Sequence, residues 1–280
     1  MFSDVLLTVD FDRTLTAPDS TIPQRNLEAI EYFVANGGSF TMNTGRSTTT
    51  MGQLLDQLPV NAPFLLYNGS AAWDKGSLVD SVEIQLPLWE TLAQVHQMCP
   101  DMNLELQGPW AHYLYEPRPE FVDFYDTLGW QWEKAVPGTE VGPFLKFALF
   151  GRIRENTVAE LYEGTAEELA QFDAVEAWLR QTYGDKISVF RPCPRIIDVH
   201  AAGVSKGLAA RRLQRQLGKK YLVCVGDAEN DLSMLQAADY AFVPADAILS
   251  DRFETVCNCA EGAVADVIYK KIPKILQIQP

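Results

Sequence analysis

The run Val5-Leu6-Leu7-Thr8-Val9 is apolar at all but one position and leads straight into Asp10-Phe11-Asp12. A strand that is apolar on both faces has to be covered on both, which is the condition of a parallel strand in a layered α/β protein. Alternation along a strand puts residues i and i+2 on one side, so Asp10 and Asp12 are expected to face one pocket. Ligands of open parallel sheets bind at such strand ends. Two carboxylates this close resist joint ionisation, each raising the other's pKa, and a bound cation relieves the conflict.

The pattern recurs along the chain. A helix is expected over 23–35, its apolar positions Leu27, Ile30, Tyr32, Phe33 and Val34 forming one broad face and Gly37-Gly38 ending it. A strand over 39–43, a helix carrying Met51, Leu54, Leu55 and Leu58, and a strand over 64–67 closed by Asn68-Gly69 follow. This β-α-β-α-β order implies a parallel sheet with right-handed crossovers. The end of the chain repeats it: helix 206–217, strand 221–225, helix 232–238, strand 240–243 and a last helix from 261 to about 271. The middle is different, being rich in aromatic residues, with alternating segments at 110–115 and 144–150 that read as half-exposed antiparallel strands. Amphipathic helices fit 118–128 and 166–183. The expected fold is α/β: a doubly wound parallel core of residues 1–82 and 191–280, interrupted by a second α/β domain over 83–190.

A length of 280 residues suits two domains. The 23 basic and 37 acidic residues leave a net charge of -14, which argues against a nucleic-acid surface and against anionic lipid. The N-terminus lacks a signal-peptide pattern, and no stretch approaches the roughly 20 apolar residues of a membrane helix. Five scattered cysteines, an odd count, suit a reducing cytoplasm. Cys257-Asn258-Cys259 has no second pair or nearby histidine to complete a metal site, and reads as one buried and one exposed thiol at a strand.

Three further segments carry chemistry. Gly226-Asp227-Ala228-Glu229-Asn230-Asp231 follows an apolar strand, its glycine permitting a tight turn and its carboxylates arriving just past the strand end. Asp227 or Asn230 can cap the next helix, a role compatible with metal binding. Magnesium takes a few carboxylates plus water and substrate phosphate, so Asp10, Asp227 and Asp231 are candidate ligands. Thr44-Gly45-Arg46 ends a strand and opens a helix, offering a hydroxyl and backbone N–H groups to an anion, with Thr44 or Ser47 equally able to serve as an ordinary cap. Lys206 starts a helix, where a cation opposes the macrodipole. Taken together, these four strand-end segments supply a nucleophile, a second carboxylate, anion donors, a lysine and metal ligands. Phosphoryl transfer needs such a set, because an anionic carboxylate attacking a phosphate dianion must be neutralised by cations.

In this order the motifs resemble those of haloacid-dehalogenase-like phosphatases, specifically the Cof-type group with a large α/β cap inserted between the second and third motifs. The matching segments are Asp10-Phe11-Asp12-Arg13-Thr14-Leu15-Thr16, Thr44-Gly45-Arg46, Lys206-Gly207 and Gly226 to Asp231, with Asn68-Gly69 after the third core strand. The resemblance implies a doubly wound core with a substrate-selecting cap, and hydrolysis of a small phosphorylated metabolite through an aspartyl phosphate on Asp10. It implies Asp12 as general acid and then base, and Thr44, Gly45, Arg46, Lys206 and Asn230 as phosphate contacts. Mg2+ would be held by Asp10, the Asp12 carbonyl and Asp227, with Asp231 supporting metal or lysine. Arg13 departs from the pattern, since the group usually has glycine there.

For the cap, Arg118, Lys146, Arg191, Arg195 and the aromatics of 110–115 are candidate substrate contacts, each also readable as cap core or surface. His200 reads as structural, and His96 and His112 have no visible partner. The expected partner is a small phosphorylated metabolite, with neither nucleic acid nor membrane, and the expected assembly a monomer or homodimer. Rivals are a phosphomutase or phosphotransferase on the same fold, a receiver that keeps its aspartyl phosphate, and a non-catalytic phosphometabolite-binding protein.

Overall fold

A computed structural model describes residues 1–138, 142–155, 157 and 159–277. The chain forms two compact units, one of residues 1–46, 53–80 and 205–280, the other of 47–52 and 81–204.

The first unit is built on a five-stranded sheet ordered Glu254–Val256, Tyr240–Pro244, Tyr221–Val225, Val5–Val9, Ser39–Met42. All its pairings are parallel. Val5–Val9 lies second from one edge, between the strands that lead to Thr44 and to Asp227, and all five of its residues are buried. A parallel bridge from Asn43 to Leu65 brings Phe64–Leu66 alongside, and that strand pairs antiparallel with Ala71–Asp74, which is followed in the same sheet by Ser77–Ser81. Helix Gln24–Ala35 buries Ala29, Ile30 and Phe33. Helix Lys206–Gln216 buries Ala209, Ala210 and Leu213, which join Leu6, Leu222 and Cys224 in one apolar cluster. The chain after Gly262 is helical through Ala263–Asp266, a wider turn at Val267–Lys271 and Ile272–Ile275.

The second unit has a six-stranded sheet ordered Ile187–Cys193, Ile196–Ala201, Lys146–Phe150, Asn103–Gln107, His112–Tyr115, Trp132–Lys134. Its pairings are antiparallel except the last. One face presents Leu104, Leu106, Phe147, Leu149, Ile197 and Val199 to Leu92 and Val95 of helix Leu88–Met98 and to Phe172, Val175 and Leu179 of helix Ala166–Tyr183. On the other face Leu114, Ala148 and Phe150 pack with Phe121, Phe124 and Tyr125 of helix Pro119–Thr127. The same face carries Glu105, Gln107, His112, Lys146 and Asp198, all buried.

Several expectations are corrected. The boundary placed at 190/191 lies after Val204, because 187–193 and 196–201 pair with each other and with 146–150. The earlier boundary, placed at 82/83, lies at 80/81. The helix expected around Met51 to Leu58 is two short ones, Thr48–Met51 and Leu54–Gln57, broken at Gly52, whose φ is +49°. Ser47–Gly52 groups with the second unit, where Ser47 Oγ meets His112 Nε2 at 2.7 Å and the Thr48 hydroxyl donates to the Pro109 carbonyl. His112 therefore has partners the sequence did not reveal, the Tyr125 hydroxyl at Nδ1 being the second. Burial and the charge of Lys146 push its pKa down to about 3, so it is neutral.

Candidate active site

The site is assembled where parallel strands of the first unit end. The Asp10 N–H donates to the Val225 carbonyl at 2.9 Å, extending the ladder one step past Val9. The chain then closes a wide turn over Phe11–Leu15, with the Leu15 N–H on the Asp10 carbonyl and the Thr16 N–H on the Phe11 carbonyl. Arg13 sits in this turn at φ 58°, ψ 11°, the left-handed conformation for which glycine is the inexpensive residue. The departure at this position therefore keeps the loop conformation glycine would allow.

Lys206 is the first residue of its helix, capped by Ser205 Oγ, which accepts the Leu208 N–H. Its carbonyl is tied to the end of the second strand by the Asn43 side-chain amide at 2.8 Å. Gly207 is required by packing: a Cβ there would lie 2.1 Å from the Ser233 carbonyl oxygen of the neighbouring helix. The Lys206 ammonium is fully buried and donates to Asp10 Oδ1 and Asp231 Oδ1, both at 2.6 Å. Burial works against its charge, but the two carboxylates outweigh burial and hold its pKa above the ordinary lysine value.

Asp231 uses its other oxygen as an internal cap, Oδ2 accepting the N–H groups of Asp227 at 2.9 Å and Ala228 at 3.2 Å. Gly226 makes this fold-back possible, since a Cβ there would stand 2.7 Å from the Asp231 side chain. Asp227 accepts the Thr14 hydroxyl at 3.2 Å. One oxygen from each of Asp10, Asp227 and Asp231 lies within 4.8 Å of the others, all three residues buried. Burial and then the Asp231 charge push the Asp10 carboxyl well above the usual carboxylate range, Lys206 acting in the opposite direction. The same two causes raise Asp227 to about 7. A hard divalent cation fits this oxygen set and would relieve the repulsion. With both Asp231 oxygens engaged, Asp10 and Asp227 are the residues best placed to hold one.

Asp12 adds a small upward push to the Asp10 pKa, as two neighbouring carboxylates should, but its side chain is held elsewhere. Its carboxylate does not join the acidic cluster, because Asp12 stands in the wide turn rather than on the strand, and strand alternation no longer applies. Both its oxygens accept from the Arg46 guanidinium instead, Nε to Oδ2 at 2.9 Å and Nη2 to Oδ1 at 2.7 Å. Arg46 also lies over the Phe11 ring, 4.7 Å from its centroid. Thr44 is buried, and its hydroxyl accepts the Arg46 N–H at 3.2 Å. The Thr44 carbonyl accepts the Asn68 N–H, which accounts for the Asn68-Gly69 segment beside Thr44-Gly45. Asn230 is half-buried on the short turn Glu229–Asp231. Thr14 and Asn43 were not singled out from the sequence, where a hydroxyl and an amide at strand ends carry no distinctive signal.

The four charged candidates of the second unit have structural partners. Arg118 pairs with Asp101, Lys146 lies 3.3 Å from Asp198, and Arg191 pairs with Asp173. Buried Arg195 donates to the carbonyls of Arg152 at 2.6 Å and Glu160 at 2.8 Å. His200 is buried with Nδ1 3.0 Å from the Leu145 carbonyl, as a structural histidine would be. Cys259 is buried against Asp246 and Cys257 is half-buried, and all five cysteines are free. Among the described residues no helix is long and apolar enough to cross a membrane.

A doubly wound parallel sheet with a buried carboxylate–lysine cluster at its strand ends, interrupted by a second α/β unit, defines a class of hydrolase. The chain belongs to the haloacid dehalogenase-like hydrolase family, whose model matches residues 7–259. It is 23% identical over 269 residues to an HMP-PP phosphatase of Serratia proteamaculans, covering 93% of this chain and 92% of that protein. Among solved structures it is similar to a haloacid dehalogenase-like hydrolase from B. subtilis, with a TM-score of 0.76, 17% identity, and 95% and 99% of the two chains covered. A HAD subclass IIB sugar phosphatase matches with a TM-score of 0.74 and 20% identity over 98% of this chain and 99% of its own. At these identities the structural likeness speaks for the fold.

Proposed function

We propose that the protein is a cytoplasmic, magnesium-dependent phosphatase that hydrolyses a small phosphorylated metabolite, either a sugar phosphate or a phosphorylated cofactor. The observation that carries this reading is the Lys206 ammonium held between Asp10 and Asp231, with an oxygen from each of Asp10, Asp227 and Asp231 within 4.8 Å of the others. A buried lysine so placed pulls charge off the Asp10 carboxylate and fixes its direction. The relatives named as an HMP-PP phosphatase and a sugar phosphatase support the substrate class. The free cysteines and the net charge of -14 suit the cytoplasm and a metabolite partner rather than nucleic acid or membrane. Monomer and homodimer are both compatible with the reading.

In this mechanism Asp10 attacks phosphorus as the bond to the leaving oxygen breaks, giving an aspartyl phosphate. Asp12 gives the leaving oxygen its proton, then takes one from the attacking water. Thr44, the Gly45 N–H, Lys206 and Asn230 hold the phosphoryl oxygens. Asp10 and Asp227, with Asp231 in support, are the residues that would hold Mg2+, which when bound would supply the charge neutralisation a carboxylate needs to approach a phosphate dianion. The test is Asp10→Asn. The variant is expected to fold and to release no phosphate from 4-nitrophenyl phosphate in magnesium, and full activity in this variant would remove Asp10 from the nucleophile's role.

A further inference from the structure

Arg46 is engaged with a protein carboxylate. Two of its nitrogens meet the two oxygens of Asp12 in parallel, at 2.9 and 2.7 Å, the bidentate geometry that fixes a carboxylate in both position and plane. The arginine is itself held, its guanidinium resting on the Phe11 ring and the backbone on either side of it bonded: its N–H to Thr44 Oγ1, its carbonyl to the Tyr67 N–H. Asp12 needs such support. It lies in a wide turn, its side chain is 45% exposed, and no strand neighbour fixes it. An exposed aspartate on a turn samples several rotamers, whereas a base must point at one water.

From this geometry we infer that Arg46 is a positioning residue for Asp12 in the second half of the reaction, and not a phosphate contact. The inference rests on the phosphatase reading and adds a division of labour to it. When water attacks the aspartyl phosphate, its oxygen bonds to phosphorus and the bond from phosphorus to Asp10 breaks. The water proton goes to Asp12, which needs a free carboxylate aimed at that water. A guanidinium fork is complementary to a carboxylate in that form and orientation. The proton Asp12 gains is the one the next leaving oxygen receives. Lysine would keep the charge and lose the fork.

The experiment is pre-steady-state hydrolysis of 4-nitrophenyl phosphate by wild type, Arg46→Gln and Arg46→Lys in magnesium. This leaving group departs without a proton, so the first half-reaction makes little demand on Asp12. Both variants are expected to release a burst of nitrophenolate near one equivalent and to accumulate acid-stable phosphoprotein. The steady-state kcat is expected to fall by on the order of 10²-fold with a far smaller change in kcat/KM. Vanadate inhibition is expected to stay as in wild type. A fall in kcat/KM with weakened vanadate inhibition and no burst would make Arg46 a phosphate contact and overturn the inference, as would wild-type behaviour of Arg46→Lys. A crystal structure of Arg46→Gln gives a second readout: the Asp12 carboxylate should leave its wild-type position, and its persistence there would overturn the inference. If wild type releases no nitrophenol at all, the phosphatase reading fails, and the crystallographic result still decides what orients Asp12.

Discussion

Lys206 shows at residue scale how a costly burial is made stable. Its ammonium is fully buried and is matched by Asp10 and Asp231, each 2.6 Å away. Removing one partner of a buried ion cluster leaves uncompensated charge, which costs about 3–5 kcal/mol. Lys206→Met is therefore expected to lower unfolding free energy by that order in urea titrations without added metal. A loss below about 1 kcal/mol, the worth of a surface pair, would contradict the assignment. The sequence made Lys206 conspicuous because a cation opening a helix opposes the macrodipole. It did not reveal Thr14 or Asn43, whose hydrogen bonds to Asp227 and to the Lys206 carbonyl join positions 213 and 163 residues apart. Nor does it reveal the Asp12–Arg46 pair, because strand alternation does not extend to Asp12, three residues past the end of the strand at Val9.

At the scale of elements, the parallel strands were legible and the inserted sheet less so. Continuous apolar runs mark strands covered on both faces, and 5–9 and 221–225 were placed to the residue. Helix 166–183 was likewise placed to the residue, its Thr165 cap and Glu168 forming a capping box. The expected boundary at 190/191 cuts the pair of strands 187–193 and 196–201, because a hairpin at a domain's end carries no sign of which neighbour it pairs with. That sheet's polar face makes its own prediction. Burial raises the Glu105 carboxyl from 4.5 to about 8, outweighing the opposite pull of Lys146. Between those values the folded protein holds a proton that the unfolded chain has lost, so stability should decline as pH rises through that window, by at most about 1.4 kcal/mol per pH unit. Urea unfolding at pH 5 and pH 8 should show this decline in wild type and a shallower one in Glu105→Gln. Equal slopes would mean that Glu105 is ionised throughout.

For the whole molecule, the acidic cluster ties folding to metal. A cation that binds only the folded chain stabilises it by about 2.7 kcal/mol at one hundred times its dissociation constant. Magnesium is therefore expected to raise the melting temperature of wild type at neutral pH, and Asp227→Asn to remove most of that rise. Equal shifts in the two proteins would place the ion elsewhere. The two-unit plan was legible in the shift from apolar runs to aromatic alternation, and its limits moved to 80/81 and 204/205 with 47–52 reassigned.

The close approach at Gly207 has a consequence for any effort to redirect this protein. The helices that deliver Lys206 and Asp231 touch where a methyl group would fall 2.1 Å from a carbonyl oxygen, and at Gly226, just past the strand Tyr221–Val225, one would fall 2.7 Å from the Asp231 side chain. Neither helix can be re-pitched by exchanging one side chain for another, so the reaction chemistry is inherited as a single casting. Any library built on this protein would do best to leave positions 207 and 226 untouched.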